Sequence, residues 1–456
     1  MNHDAAAHLG VDCPSLKTGR RFLSVALVFM IVGSAIVLWK GWELTRLDAI
    51  SGIIALGVLI YSFRLMGSER LTVETAARRD ELFSQIAVFA LFLAFYGITA
   101  GSDTSPFNAH VRQAVAYIHG HTYIDAPNYI EHAQLGPYSY QLHPPLPAIL
   151  LMPFAAIWGL NTNQSYFSIV VGALDVALAW RLLGHFRLTL NARMWLMIFF
   201  GAGTIIWHET IDGSSWAVSM TVAVMFTLLA LDETFDHGRP ALVGLYAGIA
   251  ALARYDLALV WPAYLAMLLF WRRRTISELF WFVPGCALMI FGYMAFNFAR
   301  YHSIFDQGVA SYLSTTSEAG KSLFALRYLP NNFFTLFFMA PRIDTNFPYI
   351  YPTFGGQSIL TTSPAFLLAL KASWRRLDVA LVAMAALLAA TPVLFYVGNG
   401  ASQFGTRHFV HVFPFVLVLI ALGYRRMDQL SRVLITVSVC LIAWGIWCIR
   451  FYGLPV

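Results

Sequence analysis

The stretch 143-HPPLPAILLMPFAAIWG-159 decides how the whole chain is laid out. It is apolar enough to count as a membrane crossing, but four of its residues are proline, which removes backbone donors and breaks helices. A crossing here reverses the side of everything that follows. If it crosses, Arg181, Arg187 and Arg193 land on the same side as Asp103; if it lies as a juxtamembrane or re-entrant helix, they land opposite. Charge selects the second reading. It gathers Lys17, Arg20, Arg21, Arg64, Arg70, Arg78, Arg79, the arginines of 181–193, Arg239, the run 272-RRR-274, Lys371, Arg375, Arg376, Arg425, Arg426 and Arg432 on one face, 20 of the 30 basic residues. The positive-inside rule makes that face cytoplasmic.

Composition agrees with a chain that lives in lipid. At 58% hydrophobic and 12% charged residues over 456 positions, there is too little polar surface for a soluble globule. The formal charge of +6 therefore reads as membrane orientation and not as nucleic-acid binding. Four cysteines, Cys13, Cys286, Cys440 and Cys448, show neither CxxC nor metal spacing. Lys17, Arg20 and Arg21 precede an apolar span with no small-residue cleavage site, which reads as a retained anchor.

With about 20 apolar residues per crossing, spans are expected near 22–39, 48–66, 84–101, 165–184, 194–208, 215–231, 239–253, 257–271, 279–298, 359–371, 377–396, 408–424 and 431–449. The expected fold is an all-α polytopic membrane bundle of about 13 helices. Residues 1–83 form an N-terminal segment with a two-helix extension, and 84–456 form the core. Two long segments, 102–164 and 300–358, lie outside the cytoplasm and are expected to pack as short surface helices. The shorter segments 208-HETIDGSS-215 and 398-GNGASQFGTRH-408 join them.

The informative residues are the charges on that outer face. Arg112, Arg300, Lys321, Arg327, Arg342 and Arg407 all work against topology there. An anionic phosphate explains them, because a guanidinium fork matches phosphate oxygens and stays charged; pairing with nearby acids or snorkelling explains any one of them singly. The acids on the same face are Asp103, Asp125, Glu131, Glu209, Asp212, Asp306, Glu318 and Asp344. A carboxylate among them can accept or orient a hydroxyl proton. Asp103, in 98-ITAGSDTSPFNAH-110, has two readings: such a base, or a helix cap within the turn-prone 102-SDTSP-106. His143 reads as a hydrogen-bonded residue that fixes the start of the proline-rich element. His208, Glu209 and Asp212 look like a metal triplet but fall at an expected span end and not on one continuous helix, so no metal is expected. Arg254 and Asp256 sit between two short spans, either as a clamp or as a functional pair at membrane depth.

These residues carry a resemblance. Asp103 with the stretch from FNAHVRQ to HGHTYID, then 138-YSYQLHPPLPAILLMP-153, 252-LARYDLALVWPA-263, 296-FNFARYHSIFDQG-308, 327-RYLPNNFF-334 and 403-QFGTRHFVHVFPF-415 resemble the GT-C membrane glycosyltransferases. The nearest likeness is to bacterial relatives of the dolichyl-phosphate-mannose protein mannosyltransferases and the lipid A aminoarabinose transferase. The likeness covers most of the chain from about residue 84 and implies a periplasmic active site in a bacterial inner membrane. It implies a polyprenyl-phosphate-linked sugar as donor, transfer with inversion to an acceptor that is a lipid, glycan or protein, and no cofactor; a divalent cation has no support in the sequence. Asp103 takes the place of the catalytic base, although Asp-Thr stands where the mannosyltransferases have Asp-Glu, so Asp125 stays in contention. Arg327 and Arg407 take the place of the arginines that hold the carrier phosphate, with Lys321 and Arg300 behind them. His143, Arg112 and Glu131 fall to acceptor binding or loop positioning. The rival functions are a lipid-linked sugar transporter or flippase, and an O-antigen ligase or polymerase acting on pyrophosphate-linked glycans.

Overall fold

The computed structural model describes residues 73–101, 105–124, 132–306, 308–314, 321–398, 400 and 403–452. They are mostly helical, and six helices are long and apolar enough to cross a membrane, or seven if one bent pair counts as a span. This is the architecture of an all-α membrane protein. The expected spans 22–39 and 48–66 lie outside the described residues.

The chain divides into two compact units, Met1–Ile98 and Thr99–Val456. The first contains nearly all of helix α1 (Val73–Thr99). It starts ahead of the apolar run because 73-VETAARRDEL-82 is rich in good helix formers.

The second unit opens with α2 (Ala109–Ile118) and an antiparallel hairpin of β1 (His132–Leu135) and β2 (Tyr138–Gln141). A helix of the proline-rich element follows, α3 (Leu146–Trp158). Then come α4 (Gln164–Leu183), α5 (Leu190–Ala202), α6 (Ile206–Asp212), α7 (Ser215–Phe235) and α8 (Pro240–Ala253). After α9 (Trp261–Ala266) and α10 (Val283–Tyr301), the chain runs through α11 (Leu329–Phe338), α12 (Leu377–Phe395), α13 (Phe413–Gly423) and α14 (Gln429–Tyr452).

The proline-rich element begins and ends beside the start of α7. Just before α3, His143 lies 6.3 Å ring to ring from Trp216 at the start of α7. Just after α3, Gln164 donates to the Gly213 carbonyl at 2.9 Å and to the Phe107 carbonyl at 3.2 Å. Both ends of the element therefore return to the same end of the bundle, as the arginine distribution requires.

The opposite end collects basic residues. Arg181 and His185 share the buried carboxylate of Asp232, each at 2.9 Å, and Arg239 holds Glu233 at 2.6 Å. Lys371 pairs with Asp428 at 2.6 Å, and hydrogen bonds from Lys371 and Ser431 hold the Asp428 carboxyl well below the usual carboxylate range. A backbone bond from Thr189 N to Arg425 O, 3.0 Å long, ties the loop after α4 to the loop after α13.

Several expected spans are broken helices. The segment 194–208, expected as one span, bends by 45° between α5 and α6. As a result His208, Glu209 and Asp212 stand on one continuous short helix, contrary to the linker expected there. That helix stops at Gly213, whose φ of 60° and close approach to Ser165 leave no room for a side chain. The segment 359–371 is split before Pro364, which cannot donate and disfavours helix in the residue before it. Residues Tyr255–Val260 form a 3-10 turn ahead of α9.

Helices α8 and α10 meet almost backbone to backbone. A Cβ on Gly285 would sit 2.2 Å from the Gly244 carbonyl carbon, and one on Gly248 would sit 2.3 Å from the Gly285 oxygen. Lipid tails give helices no hydrophobic reason to associate, so such small-residue contacts supply the packing. Gly285→Val should therefore force the helices apart and cost about 1–3 kcal/mol. Thermal unfolding in detergent checks this, with Gly292→Val, where a Cβ meets nothing within 4 Å, expected to shift the midpoint little.

Candidate functional site

At the end of the bundle opposite the basic residues, the first loop is knotted to two helix starts. The Phe107 carbonyl accepts from Ser215 N at 3.0 Å, from Ser215 Oγ at 2.8 Å and from Gln164 Nε2 at 3.2 Å. Ser105 N donates to Ser165 Oγ at 3.0 Å. On the near side of the same loop, Arg450 Nη2 donates to Ala100 O at 2.9 Å. Asp103, Asp125 and Glu131 lie outside the described residues, but the residues flanking Asp103 are thus fastened to this end on both sides.

The hub of the site is His110, fully buried in the first turn of α2. Its Nε2 lies 2.9 Å from both Ser215 O and Ser219 Oγ, and its Nδ1 lies 3.0 Å from Gln141 Nε2. The amide of Gln141 can only donate to nitrogen, so Nδ1 accepts and Nε2 carries the proton. Burial, reinforced by the neighbouring His143, pushes the His110 pKa well below 6.5 and keeps the ring neutral.

Two lines of contacts leave this hub. On one side, the Gln141 carbonyl accepts from Arg300 Nη1 at 2.9 Å, and Arg300 Nη2 donates to Asn297 Oδ1 at 2.8 Å. The guanidinium is buried between the rings of Phe296 and Tyr301, 3.9 and 4.5 Å from their centroids. Its two terminal nitrogens are committed to protein oxygens, so Arg300 anchors the hairpin that presents Gln141. On the other side, His110 lies 5.4 Å from His143, His143 faces Trp216, and the Arg407 guanidinium sits over Trp216 at 5.0 Å. Arg407 is half-buried at the start of the turn leading into α13.

The structure thus brings His143, Arg300 and Arg407 into one connected set. Lys321 and Arg327 lie on a neighbouring segment. Its backbone pairs with the end of α12 through Ala325 N to Phe395 O and Val397 N to Leu323 O, both 2.9 Å. Asn332 caps the same helix end by donating to the carbonyls of Val393, Leu394 and Tyr396 at 2.8–3.2 Å. Ring contacts from Phe324 to Tyr396 at 5.7 Å and from Tyr396 to His408 at 6.0 Å lead from this segment to the residue beside Arg407. The Arg327 side chain is exposed and donates to Tyr328 Oη at 2.8 Å. Arg112 bonds back to Asn108 Oδ1 at 3.1 Å on its own helix.

Beneath Arg407 lies a buried polar layer. Arg254 Nη2 holds Asp256 Oδ2 at 3.1 Å, and His411 Nε2 approaches the same oxygen at 3.5 Å. Arg254 and Asp256 clamp the break between α8 and the turn that follows. Nearby on α6, His208 Nδ1 lies 3.2 Å from Glu209 Oε1. Among the described residues no group of three or more His, Cys, Asp or Glu side chains is assembled to hold a metal.

Sequence reasoning missed His110, Gln141, Gln164 and Trp216. Their partners lie tens of residues away, so no local spacing announces them. The one available signal was a histidine at the start of an apolar helix in 108-NAHVRQAV-115. No family model, curated protein or solved structure matches this chain.

The neutral buried His110 sets a pH dependence. In the unfolded chain its pKa returns to about 6.5, so below that pH the unfolded state takes up a proton that the folded state refuses. Stability present above about pH 6.5 is therefore lost as pH falls. Thermal unfolding of the detergent-solubilised protein between about pH 7.5 and about pH 5.5 should show this slope, and His110→Gln should flatten it; parallel slopes for the two proteins contradict the assignment.

Proposed function

We propose that this protein is a membrane glycosyltransferase that moves a monosaccharide from a polyprenyl-phosphate carrier to an acceptor hydroxyl at the outer, periplasmic face. The observation that carries the reading is the connected line from Arg407 through Trp216, His143, His110 and Gln141 to Arg300, built at the bundle end opposite the basic cluster. The resemblance of the same segments to GT-C enzymes supports it, and the thirteen crossings expected from the sequence belong to this proposal.

In this scheme the carrier phosphate rests at headgroup level with its prenyl tail in lipid. Arg407, with Lys321 and Arg327 on the adjoining segment, meets the phosphate oxygens. Asp103, or else Asp125, accepts the proton of the acceptor hydroxyl as its oxygen attacks the anomeric carbon. The bond from that carbon to the phosphate oxygen breaks, and the carrier leaves as a polyprenyl monophosphate whose growing charge the arginines stabilise. One carboxylate suffices for a single inverting displacement. His143 and Arg112 line the approach to the acceptor side, with Glu131 on the same loop. Arg300 acts indirectly, by holding the hairpin.

A second reading has its own observation. Asp175 is buried within α4 with no hydrogen-bond partner for either oxygen among the described residues, and several helices are broken at depth. Both are features of transporters, which would move a lipid-linked sugar without cleaving it.

Asp103→Asn should abolish transfer from a purified polyprenyl-phosphate sugar, by about 10²-fold or more, with expression and unfolding temperature near wild type. Full activity in that variant removes Asp103 from the mechanism and passes the role to Asp125. Arg407→Ala should weaken use of the donor by about 10–100-fold, read as kcat/KM for the donor with the acceptor saturating. An unchanged donor dependence places the phosphate elsewhere.

A further inference from the structure

At the basic end of the bundle, away from the candidate site, lies a cavity of about 700 Å³. Four arginines line it, Arg187, Arg272, Arg376 and Arg425, against a single acid, Asp378. These cations are not equivalent. Arg376 is neutralised by Asp378, with Nε 3.1 Å from Oδ1. Arg272 donates to the Asp236 carbonyl and lies 5.4 Å from the Trp271 ring centroid. Arg187 and Arg425 are exposed, and neither side chain makes a hydrogen bond or ion pair among the described residues.

The two uncommitted guanidinium groups belong to loops fastened to each other. Thr189 N donates to the carbonyl of Arg425 itself at 3.0 Å, which fixes the loop carrying Arg187 beside Arg425. Like charges held together around a concave space repel each other unless an anion joins them. The position of the space narrows the anion. It opens where α4 and α13 end and α12 begins; α4 and α12 are long and apolar enough to cross a membrane, and the ends of such helices meet the headgroups. Trp271 and Tyr424 form part of its wall, and such rings favour that boundary. Its volume falls in the range of small-ligand pockets, about 300–1,000 Å³.

We propose that this cavity binds the phosphate headgroup of an anionic phospholipid, with Arg187 and Arg425 contacting the phosphate oxygens and Arg272 supplying further positive field. The site is separate from the one assigned to glycosyl transfer and stands whether or not that assignment holds. Its consequence is that the basic end is fastened to anionic lipid by a built pocket as well as by diffuse attraction, which alone is worth only about 1 kcal/mol per basic residue.

The test uses the purified full-length chain in nanodiscs of phosphatidylcholine doped with phosphatidylglycerol, with native mass spectrometry of the lipids that remain bound after extraction. Wild-type protein should retain phosphatidylglycerol over phosphatidylcholine. The double variant R187Q/R425Q should bind phosphatidylglycerol on the order of tenfold more weakly. The variant R187K/R425K should recover part of the loss, and all three proteins should match in circular dichroism. Equal retention of the two lipids by wild type, or retention unchanged in R187Q/R425Q, overturns the site. Soluble glycerol 3-phosphate, measured by the shift it gives in unfolding temperature, distinguishes the source of the phosphate. A shift matching that from phosphatidylglycerol overturns the lipid assignment, and no shift supports it.

Discussion

A single carbonyl oxygen, that of Phe107, organises the polar end of this molecule. Three donors converge on it, two from Ser215 and one from Gln164. In one stroke they join the first loop to the N-termini of α4 and α7. Because Gln164 follows the proline-rich element and Trp216 meets the histidine that precedes it, the knot forces that element to enter and leave at the same end. Every later helix inherits its direction from this constraint. The basic residues at the far end, Arg181, Arg239, Arg376 and Lys371, paired to Asp232, Glu233, Asp378 and Asp428, then fall together.

The same logic governs the broken helices. In hydrocarbon an unpaired backbone group is costly, so interruptions are tolerated only where protein covers them. Here they occur at Gly203–Ile205, at Arg254 and before Pro364, and two of them adjoin the candidate site. The break at Arg254 is bridged by its own ion pair with Asp256. The bend after α5 turns α6 so that the His208 ring lies 6.0 Å from that of Phe404, three residues before Arg407. Two of the three interruptions thus adjoin charged side chains, and regular helix runs where Gly244, Gly248 and Gly285 allow close packing.

Much of this was legible in the residues. Apolar length located the helices now seen at 164–183, 215–235, 240–253, 377–395 and 429–452 to within a few positions. Charge asymmetry, an additive property of the whole chain, led to the expectation that the proline-rich element turns back, and both its ends do lie beside the start of α7. What failed was local continuity. The run 359–371 is apolar enough for a helix, but Pro364 divides it; 208–215 looks like a linker, but its stretch 208–212 belongs to the short helix that Gly213 ends. The site was legible only in part. Arg407 and His143 stood out as charges and prolines out of place, whereas His110 and Gln141 acquire their roles from contacts across the fold. Arg300 shows the limit of reading charge alone: its burial and its two protein acceptors make it an anchor for the hairpin.

Taken together, a bundle with one basic end and one end of cations, histidines and aromatic rings suits a carrier whose phosphate stays at the headgroups. The central claim is that the bond between sugar and carrier phosphate is broken there. The most direct measurement is release of free polyprenyl monophosphate by the purified chain in liposomes, supplied with a polyprenyl-phosphate monosaccharide and membrane extract as acceptor source. The account predicts acceptor-dependent release, and none from a pyrophosphate-linked oligosaccharide. A donor that crosses the bilayer with its sugar still attached would contradict it and establish the transporter instead.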